Sequence, residues 1–149
     1  MRGGSQGVKN KNIRPINGKP LMYFTIKQAI KSEIFNHIVI CFDGDKSGVD
    51  ASIRAADRLL SIIKPNLKIS FLFLPNNQDP DNFVTENGKE YFLSYVNKKI
   101  SIYDLIWNHN YKNIDINQPS SIAQLDKILI NQSNKIKDDT LKKYTKEFF

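Results

Sequence analysis

Two strand-like runs, the β-branched apolar His37 to Phe42 (HIVICF) and Leu67 to Leu74 (LKISFLFL), flank a segment of helical period. Within that segment Val49, Ile53, Ala56, Leu60 and Ile63 recur at steps of four, three, four and three, which predicts a helix with one buried side. Pro65 and Asn66 end it, and Pro75 stops the second run. Strand, helix, strand in this order is a βαβ unit, so the two strands must run parallel with a right-handed crossover. The loop between the first strand and the helix, Asp43 to Gly48 (DGDKSG), is tight.

The rest of the chain is arranged around this unit. Residues 1–18 read as loop, with glycines at 3, 4, 7 and 18 and Pro15. Pro20 suits the first turn of a helix, and Leu21, Phe24, Thr25, Gln28 and Ala29 follow with helical spacing to about Ser32. Beyond residue 82 the pattern turns helical. Short helices are expected over 82–86, 88–96 and 101–108, and longer ones over 119–132 and 134–147, the first of these opened by Pro119, Ser120 and Ser121. The polar stretch 109–118 (HNYKNIDINQ) reads as a loop and a subdomain boundary. The predicted class is α/β, a partial parallel sheet with a carboxy-terminal helical subdomain.

Composition excludes several alternatives. With 149 residues, 40% of them apolar and 25% charged, the chain suits one modest domain and not wholesale disorder. No apolar run approaches the roughly 20 residues that span a bilayer, and the polar, Gly-rich Met1 to Gly7 is not a secretory signal. Cys41 is the single cysteine, which rules out a disulfide framework and a cysteine-based zinc site. A cytoplasmic location without membrane partners is therefore expected. The net charge of +7 is uneven: residues 1–40 carry seven Lys/Arg against one acid, Glu33, and residues 41–149 carry fifteen against fourteen. A basic segment beside a near-neutral one favours a phosphate-bearing partner for the first.

Four acids carry the main functional signal. Asp43 and Asp45 follow the first strand, spaced two apart around Gly44; Asp79 and Asp81 follow the second, spaced two apart around Pro80. Residues two apart in extended backbone point the same way, and Pro80 keeps Asp79 out of the helical region. Neighbouring parallel strands end at one edge of the sheet, where ligands of open α/β folds bind. Converging carboxylates repel, at about 4 kcal/mol per pair for 4 Å and an effective dielectric near 20, unless a cation lies between them. Hard oxygen ligands select Mg²⁺ or Mn²⁺, which bridge to substrate phosphates. The competing reading is that Asp45 or Asp81 caps the helix that follows.

The segments CFDGDKSGVDASIRAADRLL, FLFLPNNQDPDNFVTENGKEYF and SIYDLIW resemble the catalytic core of bacterial DNA primases, as, less distinctively, does IKDDTLKKYTKEFF. The resemblance runs from about residue 38 to 149. It covers the latter part of a Toprim domain, Rossmann-like, over 38–100 and a helical subdomain over 101–149. It implies Mg²⁺-dependent RNA primer synthesis in DNA replication, with Asp43, Asp45, Asp79 and Asp81 as metal ligands and Asp43 and Asp45 as catalytic. The implied partners are nucleoside triphosphates, a single-stranded DNA template and the replicative helicase. Primases also use a glutamate on an earlier strand, in an EGYMD-like motif that this sequence lacks; their zinc-binding and amino-terminal core segments are absent too. The chain alone is therefore expected to be inactive, and a non-catalytic α/β module is a further alternative.

Residues 2–40 resemble instead the start of acylneuraminate cytidylyltransferases, through RGGS-G-KN, NGKPL, the helix TIKQAIKS and the strand FNHIVI. That resemblance implies CTP binding by Arg2, Ser5, Lys11 and Asn12, with Gln6 where a lysine is usual, and CMP transfer to a sialic acid as an alternative function. The two resemblances meet near residues 37–42, which reads as a fusion or a joining of two fragments. Other residues suit structural roles. His37 sits at a strand start and His109 in a loop, and Cys41 fits core packing, as do Phe71, Phe73 and the 91–95 aromatics. Trp107 reads as a helix anchor, and the Lys-rich terminal helix, interleaved with Asp138, Asp139 and Glu147, as a solvated face.

Overall fold

The fold is that of a computed structural model, which describes residues 15, 16, 18–75, 78, 80–112 and 114–149. Where a loop is expected through residue 18, β1 (Pro15–Ile16) and β2 (Lys19–Pro20) form a two-residue antiparallel ladder. Pro20 thus ends a strand, and α1 runs Leu21–Ser32, burying Tyr23, Ile26 and Ile30 at helical steps. Helix α1 closes on Glu33, whose φ of 56° is left-handed, and Lys64 pairs with its carboxylate at 2.7 Å.

The βαβ unit forms as expected. Strand β3 (His37–Asp43) and β4 (Lys68–Leu74) are parallel and in continuous register from His37 opposite Lys68 to Asp43 opposite Leu74. Helix α2 (Lys46–Leu59) connects them. It starts three residues before the apolar period does, and its buried side keeps most of the expected stripe: Ala56, Leu60 and Ile63 are buried and Ile53 packs half-buried on the core. The buried side is wider than expected and adds Ala51, Ser52, Ala55 and Leu59, whereas Val49 is 37% exposed. Small side chains let a helix axis approach the sheet closely, and that contact outcompetes the bulkier Val49.

Strand β4 is central. Its far side pairs antiparallel with β5 (Ile100–Ser101), Ser70 opposite Ser101 and Phe71 opposite Ile100. This strand was not visible in the helical pattern of residues 88–108. Before it come α3 (Pro80–Asn87), α4 (Lys89–Tyr95) and a single 3₁₀ turn, Val96–Lys98. After it come α5 (Ile102–Tyr111), α6 (Pro119–Ser133) and α7 (Asp139–Phe148). Ser101 caps α5, accepting from Asp104 N at 3.0 Å while its hydroxyl donates to the Asp104 carboxylate at 2.6 Å.

Alternation along the strands sorts the interior into two layers. Ile40, Phe42, Ile69 and Phe71 face α1, α2 and α5 in the main core, which extends through Leu125, Leu129 and Ile136. Leu72 and Leu74, with Val39 and Cys41, pack on the opposite face against Phe83, Phe92 and Tyr95 of α3 and α4. Ile136 lies buried in the α6–α7 turn, so α7 begins at Asp139 and not at 134. Among the described residues no helix is long and apolar enough to cross a membrane.

Candidate active site

The loop after β3 is shaped by two close backbone approaches. Asp43 ends β3 opposite Leu74, the end of β4, and Gly44 N then donates to Leu74 O at 2.9 Å. A Cβ on Gly44 would stand 2.4 Å from that same oxygen, so only glycine lets the loop cross the tip of β4. A Cβ on Gly48 would stand 2.0 Å from Asp43 O, because the first turn of α2 folds back onto the strand end. The DGDKSG spacing therefore encodes a rigid hook: strand tip, crossing glycine, cap, and a glycine in the first turn.

Asp45 is the cap. Its φ of −80° and ψ of 170° are extended, and its Oδ1 accepts from Gly48 N at 2.6 Å. One carboxylate oxygen thus serves the helix, at the positive end of the α2 dipole. Asp43 is exposed. Asp81 is exposed in the first turn of α3, seven residues past Leu74. Gln78 in the intervening loop donates its side-chain amide to the Glu86 carboxylate, tying the loop to α3.

Asp79, Arg2, Ser5, Lys11 and Asn12 lie outside the described residues. Among those described, no three His, Cys, Asp or Glu side chains gather closely enough to hold a metal ion. Asp43, Asp45 and Asp81 thus follow neighbouring strands without forming a three-ligand cluster by themselves. Carboxylate oxygens are the donors that a hard divalent cation takes; Asp43 and Asp81 are exposed residues, and one oxygen of Asp45 is held by its cap bond. Sequence reasoning singled out the acids but passed over Gly44 and Gly48, whose signal was the DGDKSG spacing.

The side chains read as structural fall into place with one correction. Phe71 is fully buried, and burial pushes the Cys41 thiol above its usual range. Phe83 is enclosed by the rings of Tyr91, Phe92 and Tyr95 at 5.8, 6.2 and 5.0 Å, although Tyr91 keeps half its surface. Trp107 stacks on Tyr111 at 5.5 Å. His109 is not in a loop: α5 continues to Tyr111, one turn past the expected end. Apolar contacts of Ile102, Leu105 and Ile106 anchor that helix and override the polar composition of its end.

Comparison with known proteins bears on both halves of the chain. A cytidylyltransferase family model matches residues 1–53. The DNA primase of Rickettsia prowazekii (strain Madrid E) is 37% identical over 114 residues, which are 76% of this chain and 19% of that protein. A solved Escherichia coli primase catalytic core superposes with a TM-score of 0.72 at 26% identity, over 81% of this chain and 39% of that one. Sequence and structure together support homology to the catalytic core of bacterial DNA primases.

A primase catalytic domain solved bound to single-stranded DNA gives the same TM-score, 0.72, at 25% identity over 81% of this chain and 40% of that one. The chain spans about a fifth of the length of the curated primases it matches. A 114-residue match must begin at or before about residue 36 of the 149, so it overlaps the cytidylyltransferase match. The two similarities do not simply meet near residues 37–42. They share β3 and the start of α2, as an apolar strand followed by a tight loop is common to many α/β nucleotide-binding folds.

Proposed function

We propose that this chain is a piece of a primase-type nucleotidyltransferase, with the latter part of a Toprim domain over 38–100 and a helical subdomain over 101–149. In this reading Asp43, Asp45, Asp79 and Asp81 hold Mg²⁺ or Mn²⁺ beside the phosphates of a nucleoside triphosphate. A bound ion would neutralise charge developing on the transferred phosphoryl group. The chain's own contribution is positioning. The Gly44 bond to Leu74 and the Asp45 cap hold the 43–45 carboxylates on a stiff loop, at the edge where the loop from β4 also emerges. That parallel register, ending Asp43 against Leu74, is the observation that carries the reading.

A single-stranded DNA template and a replicative helicase are the partners this function would need. Without the EGYMD-like glutamate the chain alone would bind ions and nucleotides but turn over slowly at best, since losing a metal ligand typically costs orders of magnitude in rate. The cytidylyltransferase match over residues 1–53 is the observation behind a second reading, in which the first forty residues were joined from another source and Arg2, Ser5, Lys11 and Asn12 contact CTP. Amplifying genomic DNA across codons 30–50 tests that junction. The metal reading is tested by titrating Mn²⁺ into the labelled chain: amides around Asp43 and around Asp81 should broaden together. Broadening at one loop alone would refute a shared site.

A further inference from the structure

At the other end of the same strands lies a basic corner that the acidic loops do not use. His37 opens β3 and Lys68, its register partner, opens β4. Side chains two apart share a sheet face, so His37 lies on the face of Val39 and Cys41, and Lys68 on the face of Ser70, Leu72 and Leu74. Both belong to the face that α3 and α4 cover. Their apolar cover, however, reaches only from Val39 and Leu72 toward the strand ends. His37, Lys68 and Ser70 are the polar residues beyond it. The chain returns here after the 3₁₀ turn, where Lys99 N donates to Val96 O at 3.1 Å and fixes the approach to β5.

Strand register and the path of the chain into β5 thus place four donor-bearing residues at one corner. His37 Nε2 and Ser70 Oγ share a hydrogen bond of 3.0 Å, and Ser70 is only 7% exposed. Lys68 and Lys99 both act on the imidazole: burial first, then Lys99, then Lys68 hold His37 below the usual imidazole range. Among the described residues no carboxylate acts on His37, and neither lysine forms an ion pair. Like charges gathered without a counter-ion raise the energy of the corner, and an anion relieves it. Two ammonium groups, an imidazole and a hydroxyl match the several oxygens of a phosphate, with charge-assisted bonds from the lysines. Six steps of extended chain separate His37 from Asp43, about 20 Å, so the corner is distinct from the acidic loops.

We propose that the corner formed by His37, Lys68, Ser70 and Lys99 binds one phosphate group, either free phosphate or a phosphodiester of a nucleic-acid strand. The full chain, labelled with ¹⁵N and ¹³C, is titrated with inorganic phosphate and, separately, with an oligodeoxynucleotide lacking terminal phosphates. The expected result is saturable shifts at His37, Lys68, Ser70 and Lys99. Lys68→Met and Lys99→Met each weaken binding tenfold or more, and Lys99→Arg retains it. Tighter binding of the oligonucleotide assigns the site to a strand, and tighter binding of phosphate assigns it to the free anion. The proposal is overturned if the unmodified chain shows no saturable shift at these residues with either probe. It is equally overturned if the Lys68→Met/Lys99→Met chain, with its other resonances unmoved, binds as well as the parent.

Discussion

Replacing Gly48 by alanine sets local preference against tertiary geometry, and the two predict opposite signs. Gly48 lies in the first turn of α2, where alanine gains up to about 1 kcal/mol of helix propensity. Its Cβ, however, would sit 2.0 Å from Asp43 O and 3.2 Å from Asp45 Oδ1. The first is backbone at a strand tip, so no side-chain rotation relieves the clash. Either α2 or the end of β3 must move, with a strain of about 2 kcal/mol by analogy with overpacked cores. Movement also breaks the 2.6 Å bond from Gly48 N to Asp45, a cap worth about 1 kcal/mol. The balance is a loss of about 2 kcal/mol, which lowers Tm by about 4–8 °C in a chain of this size. Circular dichroism melts of Gly48→Ala measure it directly. A Tm equal to or above that of the parent would refute the hook geometry, because propensity alone would then govern the position.

Asp45 separates capping from metal binding: Asp45→Asn should keep stability within a few tenths of a kcal/mol but weaken Mn²⁺ broadening, whereas Asp45→Ala should lose about 1 kcal/mol as well. Denaturant melts paired with the Mn²⁺ titration check this, and equal broadening in Asp45→Asn would remove Asp45 from the metal site. His37 gives a pH dependence. Its folded value lies below the ordinary 6.5, so the unfolded chain binds more protons between the two, and stability should fall as pH drops through that interval. His37→Gln should flatten that part of the stability curve, measured by urea unfolding from pH about 7.5 to about 5.5.

The acids of the candidate site were legible because strand ends and loop residues are written locally, in apolar runs broken by Asp, Gly and Pro. The bonding of the loop was not: that Gly44 must cross Leu74 and Gly48 must abut Asp43 depends on where β4 ends relative to β3, 31 residues apart at each rung of the ladder. Composition pointed to a basic amino-terminal segment. Nothing in the spacing marked the His37, Lys68, Ser70 and Lys99 corner, whose members come from three separate stretches of chain.

The amino-acid sequence by itself determined the βαβ unit, its parallel sense and the acids at its loops, since periodicity and turn chemistry act over a few residues. Tertiary structure alone decided how far the buried side of α2 widens past Val49, the short strand β5 and the length of α5. In each case packing against a partner distant in sequence outweighed local preference. Two residues, Ile100 and Ser101, become a strand only because β4 presents an open edge beside them.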